Sequence, residues 1–470
     1  MAKDGKPIPT GRIRRTAKVG GLVGGQAAKA YGTKAANVVR SEEGRRTASE
    51  RRQVEAAEQI VEVLGTMKGA AMKVGQVASF IDTGSLPPDV QERFQGKLAE
   101  LRDSAPRVSF DDMRRVIEED LEEPVEEAFA EFEEEPVAAA SIGQVYRARL
   151  HDGREVAVKV QYPGVARAVR ADLQNLGLIL RAARRFAPNL DAKAIAAEIR
   201  TRLSDELDYE HEAQSHRAFA RAWRGHPFIV VPDVVTSMSH EHVLVTEYVH
   251  GRGFEEVKEL PQEERDRFGE IVFRFFQGSL YRLGHFSGDP HPGNFLLLAD
   301  DRVAFLDFGM TKKVPREQVK AEIDTLRSGI EGDAEALHAN LAKLGFFDPD
   351  DPVLTPQRVL DHFRDMAGWY IEDRRFTLDR EYVAQAMIDM GDPRSRHWEL
   401  MKRMTMPPEQ MLGGRMQALT LGVLGQLQAT ASWHRIQREW LFDDPPCTPL
   451  GEEEAGWLDR RGGRRAERVA

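Results

Sequence analysis

The chain has 470 residues, too many for one compact core, so two or three structural units are expected. Hydrophobic residues make up 41% and charged residues 30%, the balance of an ordinary globular protein, and a net charge of -10 argues against a nucleic-acid binder, which carries a basic surplus. A single cysteine, Cys447, excludes an internal disulfide and fits a reducing compartment, so the expectation is a cytoplasmic protein whose membrane contact, if any, is peripheral.

Charge is uneven along the chain. Residues 1–53 hold 13 Lys and Arg against 4 Asp and Glu, and residues 1–45 read as a basic arm. Two readings fit it: a solvated, flexible segment, or a contact for anionic lipid head groups or an acidic partner. No apolar segment of signal-peptide length follows. Over residues 46–106 the pattern turns helical. Val54, Ala57, Ile60, Val61, Leu64 and Met67 share one face between Ser49 and Phe80, and a second helix is predicted from Pro87-Pro88 to Arg102.

Residues 107–249 read as a small β-rich lobe. A helix is predicted around Asp111–Glu119, then strands over Ala138–Leu150 and Glu155–Gln161. The turn His151-Asp152-Gly153 joins them, and Asp-Gly is a strong hairpin signal. A long helix over Ala192–Trp223 precedes strand-like runs at Phe228–Pro232 and Val243–Tyr248. Residues 250–400 read as a larger helical lobe, broken by short strands at Phe295–Leu298 and Val303–Leu306. Residues 401–470 form a helical tail with a disordered end. In that tail the most apolar stretch, Met411–Ala431, is interrupted by Arg415, Gln417, Gln426 and Gln428 and falls short of the roughly 18 apolar residues of a membrane span. Its methionines, with Met401, Met404 and Met406, are expected to fill core space.

The chemistry-bearing motifs come in a fixed order. Asp307-Phe308-Gly309 follows an apolar strand, where a carboxylate can hold a divalent cation against phosphate oxygens and Gly lets the backbone turn away. Upstream, Asp289-Pro290-His291-Pro292-Gly293-Asn294 sets an Asp and an Asn five apart, the spacing of kinase catalytic loops. There the Asp accepts a hydroxyl proton or orients the nucleophile, and the Asn takes a second metal. Val156-Ala157-Val158-Lys159 is an apolar strand ending in a lone Lys, which needs an anionic partner. Glu206, Asp208 and Glu212 lie on the helix that follows, and Glu212 is assigned to that pair. Glu247 and Val249 fall in an extended segment suited to a hinge whose backbone meets an adenine edge.

Two further patterns exclude alternatives. In place of a Gly-rich phosphate loop stands Ala138-Ala139-Ala140-Ser141-Ile142-Gly143-Gln144-Val145, whose alanines restrict the backbone and stiffen the cradle. No Walker-type G-x-x-x-x-G-K-[ST] occurs, against a P-loop NTPase. His211-Glu212-Ala213-Gln214-Ser215-His216 has one residue too many for a zinc-protease H-E-x-x-H helix.

Together these residues resemble the UbiB/AarF family of atypical protein-kinase-like proteins. The likeness rests on Pro136 with Ala138–Val145, Val156–Lys159, Glu206-Leu207-Asp208-Tyr209 with Glu212, Asp289–Asn294 and Asp307–Gly309. Lys73-Val74-Gly75-Gln76 looks like that family's K-x-G-Q signature, and Met72, Phe80 and Leu86-Pro87-Pro88 extend the match, which runs from about residue 12 to about residue 345. The resemblance implies an α+β, two-lobed protein-kinase-like fold with an added N-terminal helical domain and a helical C-terminal tail. It implies ATP or ADP with Mg²⁺ as cofactors, bound by Ala138, Ala139, Ala140, Ser141, Gln144, Lys159, Glu247 and Val249, with Lys73, Gln76, Glu206 and Asp208 shaping the pocket. Asp289, Lys159 and Glu212 are then catalytic, and Asn294 and Asp307 hold metal.

It further implies an ATPase or small-molecule kinase in isoprenoid-quinone or lipid metabolism, with an isoprenoid lipid or quinone precursor as partner and no nucleic acid. A conventional Ser/Thr protein kinase and a non-catalytic nucleotide-gated scaffold are the alternatives. One departure stands out: the two residues before Asp289, often His-Ala in bacterial relatives, are Ser287-Gly288.

Overall fold

The computed structural model describes residues 108–140, 142–167, 169, 207–391 and 394–461. The basic arm and the K-x-G-Q region lie outside the described residues. So do Lys73, Gln76, Ser141 and Glu206, and the long helix expected over 192–223 is described only from residue 209. The chain divides into two compact units. One reaches to Glu210 and takes in Val235–Thr246; the other comprises His211–Val234 and everything from Glu247 onward.

The first unit is a sheet with a helix packed on it. Its strands are β1 (Glu131–Phe132), β2 (Ala138–Ala139), β3 (Gly143–Arg149) and β4 (Glu155–Gln161). After β5 (Ile229–Val230), which belongs to the second unit, β6 (Val243–Glu247) completes the sheet in the order β1-β3-β4-β6, with β2 on β3. β3 and β4 form the antiparallel hairpin expected from Asp152-Gly153, in register from Gly143↔Gln161 to Arg149↔Glu155. Gly153 takes φ 86° in that turn, a conformation glycine adopts without a Cβ penalty.

Strand alternation then decides what faces where. Val156, Val158 and Val160 are 0% exposed, each contributing about 1.5–3 kcal/mol by burial, while Lys159 falls on the other face and is partly exposed. Helix α1 (Phe110–Leu121) covers the core with Met113 and Ile117, one turn apart on its inner face. Ser109 caps it, its Oγ accepting from the Asp112 N–H at 3.3 Å.

The second unit is mostly helical. Helix α2 (Tyr209–Ala222) is followed by α3 (Gln262–Gly278), α4 (Arg316–Glu331), α5 (Pro408–Leu427) and α6 (Pro449–Arg460) among others. α3 is apolar nearly all round, as a central helix must be: Phe268, Ile271, Val272, Phe273, Phe275 and Phe276 are at most 2% exposed.

One charge breaks that run. Arg274 is fully buried and is met by Glu270 Oε1 at 2.7 Å, Glu439 Oε2 at 2.8 Å and Glu454 Oε2 at 3.0 Å. Glu454, on α6, also pairs with Arg282 at 2.8 Å. A buried guanidinium must be neutralised on all sides, and this cluster ties α6 to α3.

Of the tail methionines, Met416 is 0% exposed, and Met401 and Met404 pack against a second apolar cluster. Met406, at 54% exposure, does not fill core. No helix among the described residues is long and apolar enough to cross a membrane.

Candidate functional site

Four short strands of the second unit bring the motif loops together. β7 (His285–Ser287) pairs antiparallel with β10 (Thr311–Lys313), Ser287 opposite Thr311. β8 (Phe295–Leu297) pairs antiparallel with β9 (Val303–Phe305), Phe295 opposite Phe305. The loop 288–294 is therefore held at both ends. The Gly288 N–H donates to Met310 O at 2.8 Å, and the Leu306 N–H donates to Asn294 O at 2.9 Å. Between these two bonds lie Asp289, Asn294 and Asp307.

Phe308 sets the direction of the second loop. It is 0% exposed and packs on Phe219 at 4.7 Å and on His216 at 4.6 Å, the last turns of α2 thereby gripping the Asp307-Phe308-Gly309 turn from inside. Its neighbour in the aromatic core, Phe275, stacks on Phe305 at 3.7 Å. With Phe308 buried, Asp307 beside it is left half-buried, and Gly309 is buried with the phenylalanine. The Gly309 N–H donates to Asp307 Oδ1 at 3.0 Å.

Glu212, one turn before His216 on α2 and 1% exposed, reaches the same place: its Oε2 stands 3.1 Å from where a Cβ on Gly309 would be. His216 donates through Nε2 to Pro232 O at 2.8 Å, a packing role. Behind the loop, His285 stacks on Phe219 at 4.6 Å. Burial, together with the charges of Lys313 and His211, pushes its imidazole down to about 4, so it stays neutral.

Asp289 is 9% exposed and is gripped on both oxygens. The Asn294 amide donates to its Oδ2 at 3.4 Å and its carbonyl at 3.3 Å, and Arg415 of α5 donates to its Oδ1 at 2.8 Å. Arg415 Nε also reaches Gly288 O at 3.3 Å. Gly288, one half of the departure at Ser287-Gly288, has its explanation here. A Cβ at position 288 would lie 2.3 Å from Leu412 Cδ1 and 2.5 Å from its Cγ, so α5 occupies the space of that side chain. Arg415 and Leu412 were missed from the sequence, where Arg415 counted only as an interruption in an apolar stretch. A lone charge in such a stretch is itself the signal, since it needs a buried partner.

The expected residues of the first unit are placed as follows. Lys159 Nζ lies 5.1 Å over the Tyr209 ring, a cation–π distance. Ala138 and Ala139 pair with Val145 and Gln144, and the Ala140 N–H donates to Gly143 O at 2.9 Å. The tight approach of the hairpin tip to β4 requires Gly143: a Cβ there would stand 2.0 Å from Val160 O. Gln144 is buried, its Oε1 accepting the Tyr146 hydroxyl at 2.8 Å. Asp208 caps α2 by accepting from the Glu210 N–H at 3.0 Å. Glu247 begins the return to the second unit, its Oε2 accepting from the Asp233 N–H at 3.0 Å, and Val249 follows half-buried. Glu212 and Lys159 belong to different units.

The donor set fits Mg²⁺. Asn294 uses its Nδ2 on Asp289, which leaves its Oδ1 as a hard oxygen, and Asp307 on the adjacent loop supplies a carboxylate. Among the described residues no group of three His, Cys, Asp or Glu is arranged to hold a metal. Mg²⁺ needs none, being held by one or two protein oxygens together with substrate phosphates.

The chain has a protein-kinase-like fold, with the Asp289–Asn294 and Asp307–Gly309 motifs on loops joined by paired strands. The ABC1 atypical kinase-like domain matches residues 100–341, and the chain belongs to that family, the UbiB/AarF group its motifs resemble. It is similar to the mitochondrial atypical kinase COQ8B of Danio rerio, at 30% identity over 421 residues, covering 87% of this chain and 65% of the relative. It is also similar to the mitochondrial atypical kinase coq-8 of Caenorhabditis elegans, at 27% identity over 399 residues, covering 83% and 52%. Among solved structures, the Rv3197–erythromycin complex from Mycobacterium tuberculosis superposes with a TM-score of 0.61 at 31% identity, covering 85% of this chain and 100% of that one. The chain thus spans between about half and two-thirds of the length of those curated relatives.

Proposed function

We propose that this protein is an Mg²⁺-dependent ATP/ADP-binding atypical kinase or ATPase that supports isoprenoid-quinone biosynthesis or lipid metabolism. The observation that carries the reading is the double strap of β7–β10 and β8–β9, which holds Asp289, Asn294 and Asp307 on adjacent loops. Asp307 and Asn294 Oδ1 would hold Mg²⁺, which would supply positive charge against the nucleotide phosphates. Asp289 orients the attacking hydroxyl or water and takes up its proton. The family resemblance assigns Lys159, on β4, to phosphate.

The family resemblance disfavours an ordinary protein acceptor, the alanine hairpin standing where protein kinases carry a glycine loop. In that hairpin the Ala140 N–H is committed to Gly143 O rather than free to close on phosphate, unlike a flexible glycine loop. The quinone or lipid assignment rests on the family resemblance, and with it a cytoplasmic protein that meets membranes peripherally.

The test is phosphate release from Mg-ATP by the full chain, with and without an isoprenoid-bearing phenol in vesicles, beside a radiolabel transfer assay on generic protein substrates. Turnover above background that Asp289→Asn and Asp307→Asn abolish supports the reading. Labelling of protein substrates would favour a conventional Ser/Thr kinase. Identical background release by all three chains would favour a nucleotide-gated scaffold.

A further inference from the structure

Helix α5 lies far outside the motif region in sequence, 126 residues beyond Asp289, yet it grips the catalytic loop with two side chains three positions apart on one face. Leu412 fills the space above Gly288 Cα. Arg415 spans the next peptide, its Nε on Gly288 O at 3.3 Å and its Nη2 on Asp289 Oδ1 at 2.8 Å. Both partners of the ion pair are withdrawn from water, the Arg415 side chain at 6% exposure and that of Asp289 at 11%.

The other carboxylate oxygen of Asp289 is met by Asn294 Nδ2 at 3.4 Å. Each oxygen thus has its own donor, from a different element. Two donors on opposite oxygens fix the plane of a carboxylate, which a single donor leaves free to rotate. The planar guanidinium is suited to the task because its forked N–H groups can reach a carbonyl and a carboxylate together; an ammonium on a flexible stem is a point donor.

We propose that Arg415 is the positioning residue for the reaction at Asp289: it sets the orientation of that carboxylate and, through the Asn294 amide, the direction of the Asn294 oxygen assigned to metal. The proposal rests on the reading of Asp289 and Asn294 given above. It makes the C-terminal helix part of the catalytic apparatus of this chain, because the register of loop 288–294 depends on α5 as well as on its two straps.

The experiment compares full-length wild type, Arg415→Gln, Arg415→Lys and Asp289→Asn under saturating Mg-ATP. The readouts are kcat, KM for ATP, the Mg²⁺ concentration at half-maximal rate and the melting temperature with and without Mg-ATP. A small misplacement of a catalytic group can cost about 100-fold in rate, so Arg415→Gln should lose about that factor in kcat and need more Mg²⁺. Its KM for ATP should stay within about twofold of wild type, since the lost contact positions rather than binds nucleotide. Arg415→Lys keeps the charge without the fork and should fall between the two. It is also the informative variant should Arg415→Gln not fold.

Wild-type kcat and Mg²⁺ dependence in a folded Arg415→Gln or Arg415→Lys, with Asp289→Asn inactive, would overturn the proposal and leave the reading of Asp289 standing. So would a rate loss in both variants that only tracks a loss of folded protein. Wild-type turnover in Asp289→Asn would overturn the reading itself, and the role of Arg415 with it.

Discussion

Glu212 and Asp307 flank one point in space: a Cβ added to Gly309 would stand 3.1 Å from Glu212 Oε2 and 3.4 Å from Asp307 Oδ1. The first gap is tight and the second is ordinary contact, so a methyl group enters when the Glu212 carboxylate gives way by a few tenths of an ångström. Gly309→Ala should therefore leave the fold nearly intact and weaken Mg-ATP binding. Calorimetric titration should give an affinity about tenfold lower, equivalent to about 1.4 kcal/mol. Unchanged affinity would mean that the Glu212–Asp307 spacing does not matter to the ligand.

Gly288 presents the opposite case. Its missing Cβ would lie 2.3 Å from Leu412 Cδ1 and 2.5 Å from its Cγ, a contact a leucine cannot relieve by moving one methyl. Gly288→Ala should cost about 1–3 kcal/mol by overpacking, and Leu412→Ala, at 3% exposure, about 2–5 kcal/mol by leaving a cavity. Together the two changes should cost less than their sum, since each makes room for the other. Denaturant unfolding of the four chains measures that coupling; strict additivity would place Leu412 away from Gly288.

The cluster around Arg274 predicts an acid transition. Burial would raise the Glu454 carboxyl, but the guanidiniums of Arg282 and Arg274 outweigh it and hold it down to about 2. A carboxylate with a depressed folded-state value adds stability above its unfolded value, 4.5, and loses that stability as the pH falls toward 2. The contribution is on the order of 3 kcal/mol. Melting temperatures recorded from pH 6 downward should show wild type and Glu454→Gln converging below about pH 4.5. A constant gap between them would detach Glu454 from the transition. Arg274→Met, which removes the cation from Glu270 and Glu439 and leaves Glu454 with Arg282, should destabilise the chain by about 3–5 kcal/mol at neutral pH.

Much of this architecture was legible in the residues. Asp152-Gly153 announced the β3–β4 hairpin, and the strand before Asp307 was visible as an unbroken apolar run. The spacing of Asp289 and Asn294 identified their loop without reference to the fold. What could not be read was the pairing of β7 with β10. His285-Phe286-Ser287 and Thr311-Lys312-Lys313 are three residues each, too short for a period-two pattern to register, and their pairing is fixed by tertiary packing.

Arg415 escaped for a different reason. Its partner is 126 residues away, and in a linear reading a lone Arg in an apolar helix only lowers the hydropathy. Arg274, in the run Phe273-Arg274-Phe275-Phe276, carries the same hidden message. Both show that a charge in an apolar helix marks a buried partner from elsewhere in the chain.

The central claim is that the Asp307 loop binds nucleotide through Mg²⁺, and melting temperature with ATP tests it most directly. A ligand at 100 times its dissociation constant stabilises the folded state by about 2.7 kcal/mol. The account predicts a clear rise for wild type with ATP and Mg²⁺, a rise lost when EDTA replaces the metal and lost again in Asp307→Asn. An equal rise in EDTA, an equal rise in Asp307→Asn, or no rise in wild type would contradict it.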